Sequence, residues 1–494
     1  MIQNNSVNTY NPSPFMARLL NSHMVLGLLF FITAARLAFI AISPLGPGVD
    51  EAQYWLWGQD LQFGYYSKPP LIAWLLGMVD AMFGQSAFTL RASGPILHLI
   101  TSLILWQTGR LIAGEGCGRS AALLWLSLPA VGLGSFVMST DSLMLPFWAG
   151  ALYFIFCGQK RPAIYLRYMA AAGLCVGVAS LAKYAGLYFL LCLMLFLLFS
   201  GDRALPRAKG FMVFLAAVLL ASSPTWLWNL SHEFITFYHL GENANLEKQS
   251  YSFASLAGFF IAQFGVIGPI SFFLLLVLPL YRHMRVGFLG GLHAFIWPVL
   301  IVICVQAFLS EANANWAAAS MPAAVLLLAA SLSCLSGKWP ARCLFPALFI
   351  NLFMTACLGV IVAAGSFGAL TPKSDPLRRL RGWEELALKT DQLAQAADAK
   401  TLIAYSRASA ALLHWHLGKS GYYIALPLGP NATGRGNHYQ RSYPLKAASP
   451  RPWLALREGT IAPVERGDWQ GPIDHIRIQI SDRRTRDISY WLAP

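Results

Sequence analysis

MVLGLLFFITAARLAFIAIS (24–43) is followed, after PLGPG, by VDEAQYWLWGQDLQFGYYSKPPLIAW (49–74). The first stretch is apolar apart from Arg36 and has the length, about 20 residues, that a helix needs to cross a bilayer. Arg36 is placed to snorkel or to face the interior of a bundle. The second stretch sets Asp50, Glu51 and Lys68 among aromatic residues directly beside that span. Charges so close to hydrocarbon are costly unless they occupy a polar site. The pairing of the two stretches therefore reads as chemistry at a membrane face.

Working outward, 56% of the 494 residues are hydrophobic and only 12% are charged, where an average soluble protein has about 25% charged residues. The chain reads as a polytopic α-helical membrane protein. Runs near 24–43, 88–112, 120–138, 142–158, 164–182, 184–200, 210–230, 255–281, 290–309, 316–336 and 344–364 give about eleven spans. Basic residues fall in alternate connections: Arg110 and Arg119; Lys160, Arg161 and Arg167; Arg203, Arg207 and Lys209; Arg282 and Arg285; Lys338 and Arg342. The positive-inside rule makes those connections cytoplasmic. The polar segment 1–23, which has no cleavable signal, joins them.

The opposite connections carry Asp50, Glu51, Asp60, Asp80, Asp141, Glu233, Glu242, Glu247 and Glu311, which places acidic chemistry outside. In a bacterium this is the periplasmic face of the inner membrane. The net charge of +14 has a simpler explanation in its distribution along a membrane chain, so it gives no reason to invoke nucleic acid. The eight cysteines lie in or beside apolar runs without metal-site spacing and read as small buried hydrophobes.

The composition changes near TPKSDPLRRLRGWEE (371–385). The expected division is a transmembrane domain over 24–365, containing a periplasmic first loop over 44–87, and a periplasmic α/β domain over 366–494. In that tail, DQLAQAADAK and ASAALLHWHLG read as helices, whereas TLIAYSR, YYIALPL, WLALRE and HIRIQI read as strands. Arg477, Arg483, Arg484 and Arg486 read as a solvated surface, with anionic lipid head groups as the alternative contact.

The ordered segments DEAQYWLWGQDLQFGYYSKPPLIAWL (50–75), STDSLMLPFWAGALYF (139–154), SLAKYAGLYFLL (180–191), SPTWLWNLSHEFITFYHLGEN (223–243), QFGVIGPISFFL (263–274) and EANANWAAASMPAAVLL (311–327) carry a resemblance. They are similar to the bacterial branch of the protein mannosyltransferase-like GT-C glycosyltransferases (glycosyltransferase family 39). GWEELA (382–387) and NHYQ (437–440) extend it into the tail. The lipid A aminoarabinose transferase is a more distant relative with a similar first loop.

The resemblance implies transfer of a sugar from a polyprenyl-phosphate donor to an envelope acceptor: lipid A, lipopolysaccharide core or another glycan. Transfer to protein is the neighbouring alternative. A transporter or flippase is a different class that would also have many spans, but no internal repeat is visible and the polar candidates collect on one face. For transfer to a hydroxyl the resemblance makes Asp50 the general base, and for a phosphate acceptor a group that positions it or counters charge on the sugar, with Glu51 in support and Asp141 a second acidic residue. Capping of its helix is an alternative role for Asp141.

Lys68 and Lys183 are implied as contacts to the donor phosphate, and interfacial snorkelling is the alternative for both. Tyr54, Tyr66, Asn229, His232, Glu311 and Asn315 are candidate sugar or acceptor contacts. Relatives can carry a carboxylate before the first-loop lysine, where this chain has Ser67. A divalent cation held through Asp141 is therefore left open.

Overall fold

Long apolar segments become helices because a helix satisfies its own backbone hydrogen bonds where no water is available. The computed structural model describes residues 21–199, 207–243, 251–280, 287–334, 339–367, 375–427, 437–459, 463, 468–481 and 484–494. The segment 1–20, Arg203, Glu247, Arg282, Arg285, Lys338 and Arg483 lie outside them. The chain is a multi-pass membrane protein. Among the described residues, eight helices are long and apolar enough to cross a membrane, or nine if one bent pair is a single span.

The sequence reading counted about eleven, and the difference lies at breaks in apolar runs. The run 120–138 divides into Glu115–Ser127 and Pro129–Phe136, because Pro129 has no N–H to continue the first helix. The run 184–200 begins as a 3₁₀ turn, Tyr184–Leu187. The run 255–281 bends by 114° between Phe253–Val266 and Pro269–Leu280. There Gly268, at φ 94°, is followed by Pro269. A positive φ is readily open only to glycine, and proline then starts the next helix.

The chain divides into two compact units. The first comprises 1–41, 63–72 and 91–360, and its helices approach closely through small residues. A Cβ added at Gly173 would lie 2.3 Å from the Phe214 carbonyl oxygen, and one at Gly177 would lie 2.5 Å from the Ala221 Cβ. Gly173 and Gly177 share a face of Tyr165–Ala182, so this is small-xxx-small packing against Arg207–Ser231. Arg36 faces inward and donates to the Leu126 carbonyl and to Ser135 Oγ.

The second unit comprises 42–62, 73–90 and 361–494. Its sheet contains β1 (Thr401–Ala404), β2 (Tyr423–Ala425), β3 (Trp453–Glu458), β4 (Gln470–Ser481) and β5 (Arg484–Ala493), in the order β2-β1-β3-β5-β4. The interior strand β1 is parallel to both neighbours, pairing Thr401 with Tyr423 and with Trp453. It is buried throughout, as a parallel strand covered on both faces should be. Helix Arg407–Leu417 makes the crossover from β1 to β2.

β5 was missed because its first residues are basic; of the arginines read as a solvated surface, Arg477 and Arg484 are exposed and Arg486 is not. Arg486 is buried and lies 3.5 Å over the Trp383 ring. Arg477 pairs across the strands with Asp487 at 2.8 Å.

The close helix approach generates a test. Gly177→Leu should lower the thermal midpoint of the purified protein strongly and Gly177→Ala more modestly, with overpacking costing about 1–3 kcal/mol. A native midpoint for Gly177→Leu would remove this contact as a constraint on the bundle.

Candidate active site

Two helices, Thr140–Lys160 and Tyr165–Ala182, form an antiparallel hairpin. The start of one therefore lies beside the end of the other. Ser139 caps the first helix by accepting the Ser142 N–H at 3.2 Å, so Asp141 does not have to. Asp141 sits in the first turn, where the helix dipole favours a carboxylate. Beside it, just past the end of Tyr165–Ala182, Lys183 interrupts the helical run in an extended conformation (φ −157°, ψ 132°) before the 3₁₀ turn.

Lys183 Nζ donates to both Asp141 oxygens, at 2.7 and 2.9 Å. Asn315 Nδ2 adds a third hydrogen bond to Asp141 Oδ2 at 2.9 Å. The Asp141 and Lys183 side chains are 13% and 19% exposed, so water screens the pair only partly. Three segments distant in sequence thus converge on one carboxylate.

Lys183 also lines a cavity of about 390 Å³, together with Ser67, Lys68, Pro69, Tyr184, Tyr188, Gln306 and Trp316 at its more polar parts. Leu240, Val302 and Ile303 contribute apolar wall. The turn that presents Lys68 is closed by the Tyr65 N–H to the Lys68 carbonyl at 3.1 Å. Thr236 Oγ1 donates to the Tyr65 carbonyl at 2.9 Å, and Gly64 fits where a Cβ would lie 2.5 Å from the Trp228 ring. The result is two lysines and an apolar wall around one space.

Asn229 lies one layer behind. It is fully buried and donates to Tyr184 Oη at 3.2 Å and to the Thr225 carbonyl at 2.9 Å. Tyr66 packs on His239, with ring centroids 4.8 Å apart. His232 is instead exposed and stacked on Trp228 at 3.9 Å. Glu311 is exposed and makes no hydrogen bond with a described residue.

Asp50, Glu51 and Tyr54 belong to the second unit. Glu51 is buried, and its Oε2 accepts the Gly48 N–H at 2.8 Å, closing the N-terminus of helix Val49–Gly58. Tyr54 is buried with its ring 5.6 Å from that of Trp57. Asp50 points away from this packing, is 65% exposed, and accepts from Arg407. Trp57 Nε1–H donates to His438 Nε2 at 3.0 Å. NHYQ thus has a structural counterpart: Asn437 caps the short helix His438–Ser442, and His438 receives the indole N–H.

The sequence reading missed Arg407 altogether. Its local signal is only the Ser406 N-cap of a tail helix, and nothing nearby in sequence names Asp50 as a partner.

A divalent cation prefers several oxygen ligands. Asp141 is already engaged by an ammonium and an amide, and no group of three His, Cys, Asp or Glu side chains suited to a metal occurs among the described residues. This donor set does not fit such an ion, and no step is assigned to one.

Residues 67–228 match the family model described as dolichyl-phosphate-mannose-protein mannosyltransferase. The lipid A galacturonosyltransferase RgtD of Rhizobium johnstonii is 32% identical over 441 residues, covering 85% of this chain and 89% of that one. Among solved structures, ArnT from Cupriavidus metallidurans bound to undecaprenyl phosphate aligns with TM-score 0.68 and 15% identity, over 95% of this chain and 98% of that one. The apo oligosaccharyltransferase of Archaeoglobus fulgidus aligns with TM-score 0.52 and 12% identity, over 89% and 70%. These two structural likenesses concern the fold.

Two tests follow from the site. Asp141→Asn strands the Lys183 ammonium and should cost on the order of 3 kcal/mol or less, given partial exposure. The double variant Asp141→Asn/Lys183→Met should recover part of the lost thermal midpoint. Equal midpoints for single and double variants would show that the pair is not coupled.

The second test concerns His438, whose pKa burial pushes down to about 3, with the His414 and Arg407 charges acting in the same direction. Burial lowers His414 to about 4. An unfolded histidine protonates near 6.5, so its contribution is intact above that pH and stability falls as pH drops from about 6.5 toward 3. Proteolytic resistance of 375–494 in the full chain should decline over that window, and less steeply in His438→Gln. A pH-independent resistance would contradict the assignment.

Proposed function

The chain belongs to the dolichyl-phosphate-mannose-protein mannosyltransferase family of GT-C membrane glycosyltransferases, and we propose that it transfers a hexuronic acid from a polyprenyl-phosphate donor to lipid A at the periplasmic face. The class of reaction follows from the family: the enzyme is a polyprenyl-phosphate-sugar-dependent glycosyltransferase. The choice of lipid A and of a hexuronic sugar is supported by the relative RgtD. The outward placement is supported by the basic residues in alternate connections.

The observation that carries the reading is the cavity lined by Lys68 and Lys183 with Leu240, Val302 and Ile303 beside them. A donor with an anionic head and a hydrocarbon tail needs cations and apolar wall together. In the transfer, an acceptor hydroxyl oxygen bonds to the anomeric carbon from the face opposite the phosphate. The carbon–oxygen bond to phosphate breaks, and its electron pair remains on the lipid phosphate.

Lys68 and Lys183 stabilise that developing charge. Asp141 and Asn315 hold the Lys183 ammonium in place. Asp50 takes the hydroxyl proton as general base. This predicts inversion at the anomeric carbon.

The test uses full-length protein in lipid with labelled undecaprenyl-phosphate galacturonic acid, and either lipid A or a Ser/Thr peptide as acceptor. Native protein should label lipid A. Lys68→Ala should raise the donor KM, whereas Asp50→Asn should lower kcat by about 10²–10⁴-fold with donor binding retained. Label on the peptide alone would favour protein glycosylation. Lipid movement across liposomes without sugar transfer would refute the enzyme reading.

A further inference from the structure

Arg407 begins helix Arg407–Leu417, whose N-cap Ser406 accepts the Ser409 N–H at 3.0 Å. From this held backbone position it reaches the first-loop helix Val49–Gly58. Its Nε–H donates to Gln53 Oε1 at 2.8 Å, and its Nη2 donates to Asp50 Oδ1. One planar guanidinium therefore bridges two acceptors that lie three residues apart on the same helix face. Gln53 is only 2% exposed and serves as the rigid anchor. Asp50 Oδ2 makes no hydrogen bond with a described residue.

We propose that Arg407 is a positioning residue for Asp50: anchored on buried Gln53, it fixes the rotamer of the carboxylate and leaves Oδ2 to receive the acceptor proton. The proposal rests on the reading of Asp50 as general base. In the step, the proton leaves the acceptor hydroxyl for Asp50 Oδ2 while that oxygen bonds to the anomeric carbon. The bond to the donor phosphate breaks, and Arg407 exchanges nothing.

A purely structural role explains the arrangement less well. The Arg407 and Asp50 side chains are 44% and 65% exposed, and ion pairs that open to water add little to folding. Orientation is different: a catalytic group displaced by about 1 Å can cost roughly 10²-fold in rate.

The experiment measures kcat, donor KM and thermal midpoint for full-length Arg407→Gln, Arg407→Lys, Gln53→Met, Asp50→Asn and the double variant Asp50→Asn/Arg407→Gln. The donor is labelled undecaprenyl-phosphate galacturonic acid and the acceptor is lipid A. Arg407→Gln should lose about 10²-fold in kcat with native donor KM and midpoint. Arg407→Lys should restore little, since one ammonium does not span both acceptors in a fixed fork. Gln53→Met should lose a smaller factor in the same direction.

If Arg407 acts through Asp50, the double variant should be no slower than Asp50→Asn alone. Native kcat in Arg407→Gln, losses that multiply in the double variant, or a loss that only follows a fallen midpoint would each overturn the proposal. Those outcomes leave the general-base reading standing if Asp50→Asn is itself inactive. A fully active Asp50→Asn would defeat that reading and the proposal together.

Discussion

A helix that stops inside or beside a membrane exposes polar backbone groups that water cannot reach, and each must find a partner. The breaks in this chain are where its polar features gather. Lys183 follows the end of Tyr165–Ala182, and the 3₁₀ turn after it carries Tyr184, which joins Thr225 and Asn229. Gly268 and Pro269 turn a run by 114°. The ammonium exposed at the first break is then held by Asp141 and Asn315. The cavity of the first unit depends on that interruption, since an unbroken helix would continue the apolar wall.

Small residues make the rest of this geometry feasible. Gly173 and Gly177 allow backbone-to-backbone approach in the hairpin's flank, a source of dispersion contact that does not rely on hydrophobic transfer between equally apolar surroundings. The antiparallel pairing of Thr140–Lys160 with Tyr165–Ala182, closed up at Gly150 against Cys175, is what lets residues 141 and 183 meet at hydrogen-bond distance.

Much of this was legible in the sequence, for reasons of local physics. Long apolar runs, alternating basic loops and the polar tail indicated a membrane bundle with an α/β appendage. Lys183 was recognisable because a lysine within SLAKYAG demands an explanation. Among the described residues fewer helices reach spanning length than there are apolar runs, because hydropathy sees composition, whereas Pro129 and Gly268–Pro269 act on backbone geometry. β5 was obscured by its basic start, where the burial of Arg486 depends on Trp383, about a hundred residues earlier in the chain. Arg407 was illegible for the same reason: its meaning comes from residues more than 350 positions away.

That separation also bears on biosynthesis. The contact between Arg407 and Gln53 spans 354 residues, and translation adds roughly 5–20 residues per second. The first-loop helix therefore emerges on the order of half a minute before the chain that will cover it. During this interval its carboxylates and aromatic rings have only the early helices, lipid and solvent as neighbours. The second unit, assembled from 42–62, 73–90 and 361–494, can close only after the last span has been made. The chain's own order of synthesis thus delays completion of the Asp50 environment until the membrane domain is in place.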